Sequence, residues 1–210
     1  MTAVDERPRD MRMRSFGEGY DPTPVDRFGV WLSARQIRRR VGSFAGKRVA
    51  DIGAGYHADF ARTLASTVAS LLVLDISISP AVKALPNTRA IEGQLPDSLQ
   101  AIDDASLDVV ICNSVLEHLW DPLQTVTEMH RIAAPGGLVL INVPNWLGKR
   151  FLELAAFRLG VSPPDEMEDH KTYFDPRDLW PLLVKAGFRP SQVRCFRHKF
   201  GLNTFAVCRR

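Results

Sequence analysis

The residues with the most chemistry in their types and spacing are Asp51, Gly53, Gly55 and, about 20 positions further on, Asp75. They sit in the run Val49-Ala-Asp51-Ile-Gly53-Ala-Gly55-Tyr-His-Ala58 and at the end of Leu71-Leu-Val-Leu-Asp75. Glycines carry no Cβ, so the backbone at 53 and 55 can turn tightly and approach a ligand closely. A carboxylate at the end of the second apolar run can accept hydrogen bonds from both hydroxyls of a ribose. Gly53, Gly55 and Ala58 also satisfy the dinucleotide pattern G-x-G-x-x-G/A, so a nicotinamide cofactor fits this much. Asp51 separates the two readings. A dinucleotide turn offers N–H groups to an anionic pyrophosphate, which a carboxylate aimed into the same turn repels. A ligand with an ammonium group at that end suits it instead. The plainer alternative is that Asp51 is a strand-end acid capping the turn.

S-adenosylmethionine carries both an ammonium and a ribose, and it is the cofactor these positions suit. The elements needed to place them are legible around the motif. Val49 to Ile52 read as the end of a buried strand, and Ala61, Leu64, Ala65 and Val68 recur behind the glycines at helical spacing. Strands are expected near 48–52, 71–75, 88–92, 107–113 and 137–143, with helices between them, the clearest near 122–132. Alternation of this kind gives a parallel sheet with helices on both faces and right-handed crossovers. Before the sheet, Phe28, Trp31, Leu32, Ile37 and Val41 mark an amphipathic helix from Val25 to about Phe44. Pro135-Gly-Gly137 reads as a turn that ends one helix and starts the fifth strand. Asp175, Pro176 and Gly187 cap, start and end a later helix. Gln192–Phe196 and Thr204–Cys208 read as a closing antiparallel pair.

The chain has 210 residues, 45% hydrophobic and 24% charged, with a net charge of +3. This suits one soluble domain and does not by itself imply nucleic acid. Residues 1–22 are polar and aperiodic and are expected to form a mobile arm. Residues 23–210 then form a single domain with an acceptor-side insertion over 145–174. In that insertion a very apolar helix spans Trp146–Leu159, followed by Pro163-Pro164 and an acidic loop of Asp165, Glu166, Glu168 and Asp169. The three cysteines have no metal-ligand spacing. The N-terminus lacks an apolar leader, and no apolar run reaches the roughly 18 residues of a membrane span. A cytoplasmic location is the expectation.

Over about residues 45–208 the chain resembles the class I S-adenosylmethionine-dependent methyltransferases, and most of all the small-molecule group that includes the ubiquinone-pathway O-methyltransferases. The resemblance rests on Asp51-Ile-Gly-Ala-Gly55, Asp75, Asp108 to His118, Ala134-Pro-Gly-Gly137, Val143-Pro-Asn145 and Phe174-Asp-Pro176 through Ala186-Gly-Phe188. It implies a Rossmann-like α/β fold: a seven-stranded, mostly parallel sheet with its last strand antiparallel. It also implies site roles. Asp51, Gly53 and Gly55 line the methionine part, Asp75 holds the ribose, and Ile76 and Leu95 lie against the adenine. Many relatives have an acid that meets the adenine amino group; Gln94 stands there, and its carbonyl can accept the same bond without a charge. Tyr56-His57 replaces the Thr-Gly common in relatives, and Tyr56 can pack over the cofactor. Asn113 to His118 lies where the methyl group points.

Methyl transfer to oxygen needs an aligned acceptor and the loss of its proton. A histidine is the natural base near neutral pH. His118 is the candidate by position and His170, on the acidic loop, the second. The alternative for His118 is a residue that only orders the loop before Asp121-Pro122. Some relatives bind a divalent ion through Glu-x-x-Glu-His; Ser114 replaces the first acid here, and no metal is expected. The expected activity is direct methyl transfer, to oxygen, on a small or lipid-linked acceptor, with peripheral membrane contact suggested by the apolar Trp146–Leu159. An RNA-modifying methyltransferase, using the early arginines, and a non-catalytic cofactor-binding subunit are the alternatives. The sequence has no added RNA-binding domain, and it leaves the oligomeric state open.

Overall fold

A computed structural model of the chain describes residues 14–150 and 169–210. The order of its strands explains where a site can form. β1 (Arg48–Ile52), β2 (Ser70–Asp75), β3 (Thr88–Glu92), β4 (Leu107–Asn113), β5 (Ala133–Pro144), β6 (Val193–His198) and β7 (Asn203–Arg209) make one sheet in the order β3-β2-β1-β4-β5-β7-β6. β1 to β5 run parallel to one another, and β7 runs antiparallel to both β5 and β6. This is the seven-stranded fold the resemblance implies. The chain winds outward from β1 in one direction and from β4 in the other. A crevice therefore opens beyond the carboxyl ends of β1 and β4, the place where such sheets bind ligands. Register fixes its rim: Ile52 pairs with Leu74 and Cys112, and Asn113 with Asn142.

The strands read as nearly continuous apolar runs because both faces are covered. Ala50, Ile52, Leu72, Leu74, Val110 and Cys112 face one core, shared with Val126 and Met129 of α4 (Pro122–Ile132) and Leu179 and Leu183 of α5 (Pro176–Lys185). Val49, Val73, Val109 and Ile111 face the other, with Ile37 of α1 (Pro24–Val41), Ala61 of α2 (Asp59–Arg62) and Val82 of α3 (Pro80–Lys83). Each fully buried Leu or Ile contributes about 1.5–3 kcal/mol. The two faces together therefore hold the strand ends rigidly.

Local chemistry sets the helix limits. Thr23 and Asp26 form a reciprocal cap at the start of α1, with Pro24 at its first position, and Gly42 ends it at φ 75°. α1 is thus three residues shorter at its end than its apolar pattern predicts. Phe28 and Trp31 stay half exposed, so the pattern overstated its buried face. Asp121 caps α4 by accepting from Leu123 and Gln124 amides, and Asp178 accepts from the Asp175 amide at 2.9 Å at the start of α5.

Two expectations are corrected. The helix after the glycine turn is a single turn, although Ala61, Leu64, Ala65 and Val68 are all buried. The Thr63 hydroxyl donates to the Phe60 carbonyl at 2.7 Å, and such side-chain bonds compete with helix propagation. The fifth strand starts at Ala133, ahead of Gly136-Gly137, and its register against β4 slips between the Leu107–Ala133 and Val109–Leu138 pairs. The glycines shape that irregularity: a Cβ on Gly137 would come within 2.8 Å of the Ala134 carbonyl. Most of the apolar helix expected over Trp146–Leu159, and Asp165, Glu166 and Glu168, lie outside the described residues. No described helix is long and apolar enough to cross a membrane.

Candidate active site

The glycine turn after β1 has the backbone that its residue types demand. Gly53 and Gly55 have φ of 69° and 78°, where a side chain is strained. A Cβ on Gly53 would also stand 2.2 Å from Val115 Cγ2, so position 53 admits nothing larger. The Gly53 amide donates to the Leu74 carbonyl at 2.7 Å, which ties the turn to the end of β2. Asp75 closes the unit. Its carboxylate accepts from the Gly55 amide at 2.7 Å and from its own neighbour Ile76 at 2.7 Å. It accepts a third bond, from the Ser15 hydroxyl.

Ser15 falls inside the stretch expected to be a mobile arm, of which residues 1–13 lie outside the described set. From Arg14 onward the chain lies against the site. Ser15 is buried, and its oxygen accepts from the Ser77 amide at 2.8 Å. Glu18 accepts from the Ser77 hydroxyl at 2.6 Å, and the Tyr56 amide donates to the Phe16 carbonyl. Ser15 and Phe16 carry no motif, and aperiodic polar sequence hid their placement.

Asp51 is 5% exposed. Burial, and then the nearby Asp75 carboxylate, push its carboxyl up to about 7. A buried acid next to a second acid is costly to ionise, and a cationic ligand beside it relieves that cost. The pair therefore fits a ligand with an ammonium near Asp51 and hydroxyls near Asp75.

A cavity of about 250 Å³ opens here, lined among others by Gly53, Asp75, Ile76, Gln94, Leu95 and His118. Six of the residues singled out in the sequence thus share one space. Asp51, Gly55, Tyr56, Asn113 and His170 are not on its wall. The Gly55 amide is turned to Asp75, and the Tyr56 ring lies edge-on to His57 at 5.0 Å. Asn113 accepts from Asn142 at 3.0 Å, which draws it back toward the sheet. Phe16, Leu119 and Trp120, which carry no motif in the sequence, also line the cavity, together with Ser114, Val115 and Asp121.

At the far end the two candidate histidines meet. The His118 and His170 rings are 4.8 Å apart, edge to face. His118 Nδ1 lies 2.9 Å from Asp169 Oδ2, although the ring is off the line of an ideal hydrogen bond. Lys171 Nζ is 3.2 Å from the other Asp169 oxygen. Burial works to raise the Asp169 carboxyl; bonding to His118 and Lys171 outweighs it and holds the group below its ordinary range. His170 Nδ1 is 3.0 Å from the Tyr173 hydroxyl. The amides of Lys171 and Thr172 both donate to the Glu117 carbonyl, at 2.7 and 3.2 Å, so this segment is fastened beside His118. Glu117 itself is buried. Its carboxylate and the two imidazoles place ligand atoms within 4.8 Å of one another, a set able to hold a cation. Asp169 and His170 lie some 50 residues from His118 in sequence, and no spacing rule joins them.

A family model described as a methyltransferase domain matches residues 26–193. The chain belongs to the methyltransferase-domain family. A Mycolicibacterium smegmatis protein named as an S-adenosylmethionine-dependent methyltransferase is 31% identical over 179 residues, which cover 82% of this chain and 64% of that protein. The chain thus spans a little under two thirds of that relative's length. The ubiquinone biosynthesis O-methyltransferase of Neisseria meningitidis is 28% identical over 78% of this chain and 72% of its own. The fold of this family member is shared by an S-adenosylmethionine-dependent methyltransferase of Archaeoglobus fulgidus, at a TM-score of 0.62 and 16% identity, over 86% of this chain and 94% of that one.

Proposed function

We propose that this chain is an S-adenosylmethionine-dependent methyltransferase that transfers the methyl group directly to an oxygen of a small or lipid-linked acceptor. The observation that carries the reading is the pair of acids across one glycine turn: Asp51, buried and hard to ionise, and Asp75, at the cavity wall. When bound, the cofactor supplies an electrophilic methyl on a sulfonium. Asp75 accepts from the ribose hydroxyls, taking them in place of the Ser15 hydroxyl. Asp51 faces the ammonium side. Ile76 and Leu95 cover the adenine, and Gln94 accepts from its amino group. His118, on the same cavity wall, takes the acceptor proton at an imidazole nitrogen as the C–O bond forms and the C–S bond breaks. Alignment of the acceptor supplies the larger share of the rate.

Two features support an apolar or lipid-linked acceptor. Trp120, beside His118, is 65% exposed, and Trp146 and Leu147 are each about half exposed. The Neisseria meningitidis relative carries a ubiquinone-pathway name. Incubation with methyl-labelled S-adenosylmethionine and extracts of quinols, phenols, sugars and lipids tests the reading. Label should enter an apolar oxygen-bearing product. In a parallel incubation with total RNA, label found only in the RNA, or no label in either while the cofactor binds, would point to the RNA-modifying or non-catalytic alternatives.

A further inference from the structure

We infer that Asp169 is a positioning residue for His118, holding its imidazole as the Nδ1–H tautomer so that Nε2 is left to take the acceptor proton. The inference rests on the proposed role of His118 as base. Three observations converge on it. The first is the approach of His118 Nδ1 to Asp169 Oδ2, at 2.9 Å and largely shielded, with side-chain exposures of 10% and 21%. A carboxylate at that distance can only accept, so the proton on the facing nitrogen is favoured. The second is how the carboxylate is held. The Lys171 and Thr172 amides donate to the carbonyl of Glu117, the residue before His118, so the backbones carrying acid and base are fastened to each other. Lys171 Nζ, on the other Asp169 oxygen, fixes the carboxylate from behind.

The third is the position of His118 itself. It lines the cavity while its Nδ1 points to Asp169, so the ring bridges the acid and the open space. The contact is imperfectly aligned, and such bonds tighten when an acceptor fills the site. On proton transfer Nε2 gains the acceptor's proton, the ring becomes an imidazolium, and Asp169 stabilises it without itself accepting a proton. His170, Glu117 and Asp121 also face or flank the ring. His170 Nδ1 meets the Tyr173 hydroxyl at 3.0 Å, while Asp169 is the carboxylate that faces His118 Nδ1 and so is suited to set its tautomer.

The test needs no acceptor. Nitrogen-15 spectra of the cofactor-free protein at a single pH above neutrality report which ring nitrogen of His118 carries the proton, with the His118→Ala spectrum giving the assignment. In the wild type Nδ1 should be protonated and Nε2 bare. In Asp169→Ala, His118 should revert to the Nε2–H form, and Asp169→Glu should restore the wild-type pattern. A wild-type His118 protonated at Nε2, or one whose tautomer survives Asp169→Ala, overturns the inference; the wild-type spectrum decides even if the variant fails to fold. With an acceptor from the labelled screen, Asp169→Ala should lower turnover at least roughly 10-fold with cofactor affinity unchanged. In the His118→Ala background it should have no further effect. An equal loss in both backgrounds contradicts the role. If instead His118→Ala leaves turnover intact while the tautomer follows Asp169 as expected, the base assignment fails and the pairing stands.

Discussion

The two ends of the cavity are built differently. The end proposed to hold the cofactor is built around backbone and two acids from one short stretch, Asp51 to Ile76, at the ends of adjacent strands, with Phe16, Gln94 and Leu95 completing the wall. At the end proposed to take the acceptor, Val115, His118, Leu119 and Trp120 line the cavity, and the remote segment Asp169 to Tyr173, off its wall, is fastened behind them by two amide bonds to the Glu117 carbonyl. At the first end, φ values and steric room at Gly53 and Gly55 dictate residue type. At the second, tertiary contact decides which side chains meet. Binding should therefore be governed by the first region and chemistry by the second.

Substitutions that separate those roles give the sharpest tests. His118→Ala should have the largest effect, lowering turnover roughly 100-fold or more with cofactor affinity unchanged. Steady-state rates with saturating cofactor check this; a loss confined to melting temperature would make His118 a loop residue. Asp75→Ala should do the converse. It should weaken S-adenosylmethionine binding by about 1–3 kcal/mol while turnover at saturation is nearly preserved. A turnover loss matching that of His118→Ala would erase the division between the ends.

Asp51 gives a pH test of the cofactor end alone. Its folded pKa, about 7, lies above the ordinary 3.8. The folded state therefore holds the proton more tightly, and this contribution to stability, complete below pH 4, is lost as pH rises to about 7. Asp51→Asn should raise the melting temperature of the cofactor-free protein at pH 8 and leave it little changed at pH 4. It should also weaken cofactor binding at pH 8, because the ammonium loses its carboxylate. A variant that gained stability and kept affinity would place the ammonium elsewhere. The smallest effect belongs to Ser15→Ala. With no hydroxyl competing for Asp75, cofactor affinity should rise about 2- to 10-fold, the worth of one ordinary hydrogen bond. A fall in calorimetric affinity would make Ser15 a supporting residue.

The contrast between the ends also explains what could be read from sequence. The strand–glycine–helix order, Asp75 at a strand end and Asp175-Pro176 at the head of α5 are local signals, and the structure contains them. The apolar spacing of Ala61, Leu64, Ala65 and Val68 overstates the length of α2, because burial of Leu64 and Val68 does not require helical hydrogen bonds once Thr63 takes the Phe60 carbonyl. Phe28 and Trp31 looked like core because helical spacing cannot say whether a partner surface exists. Ser15 and Asp169 were illegible for another reason. Each meets its partner across more than 50 residues, and a single serine or acid carries no periodicity.

The central claim is that the glycine turn with Asp51 and Asp75 holds S-adenosylmethionine, and calorimetric titration of the purified protein tests it most directly. Wild type should bind S-adenosylmethionine and its demethylated product, Asp75→Ala should bind both more weakly by about 1–3 kcal/mol, and NAD should give no heat. Binding of NAD without binding of S-adenosylmethionine would contradict the account.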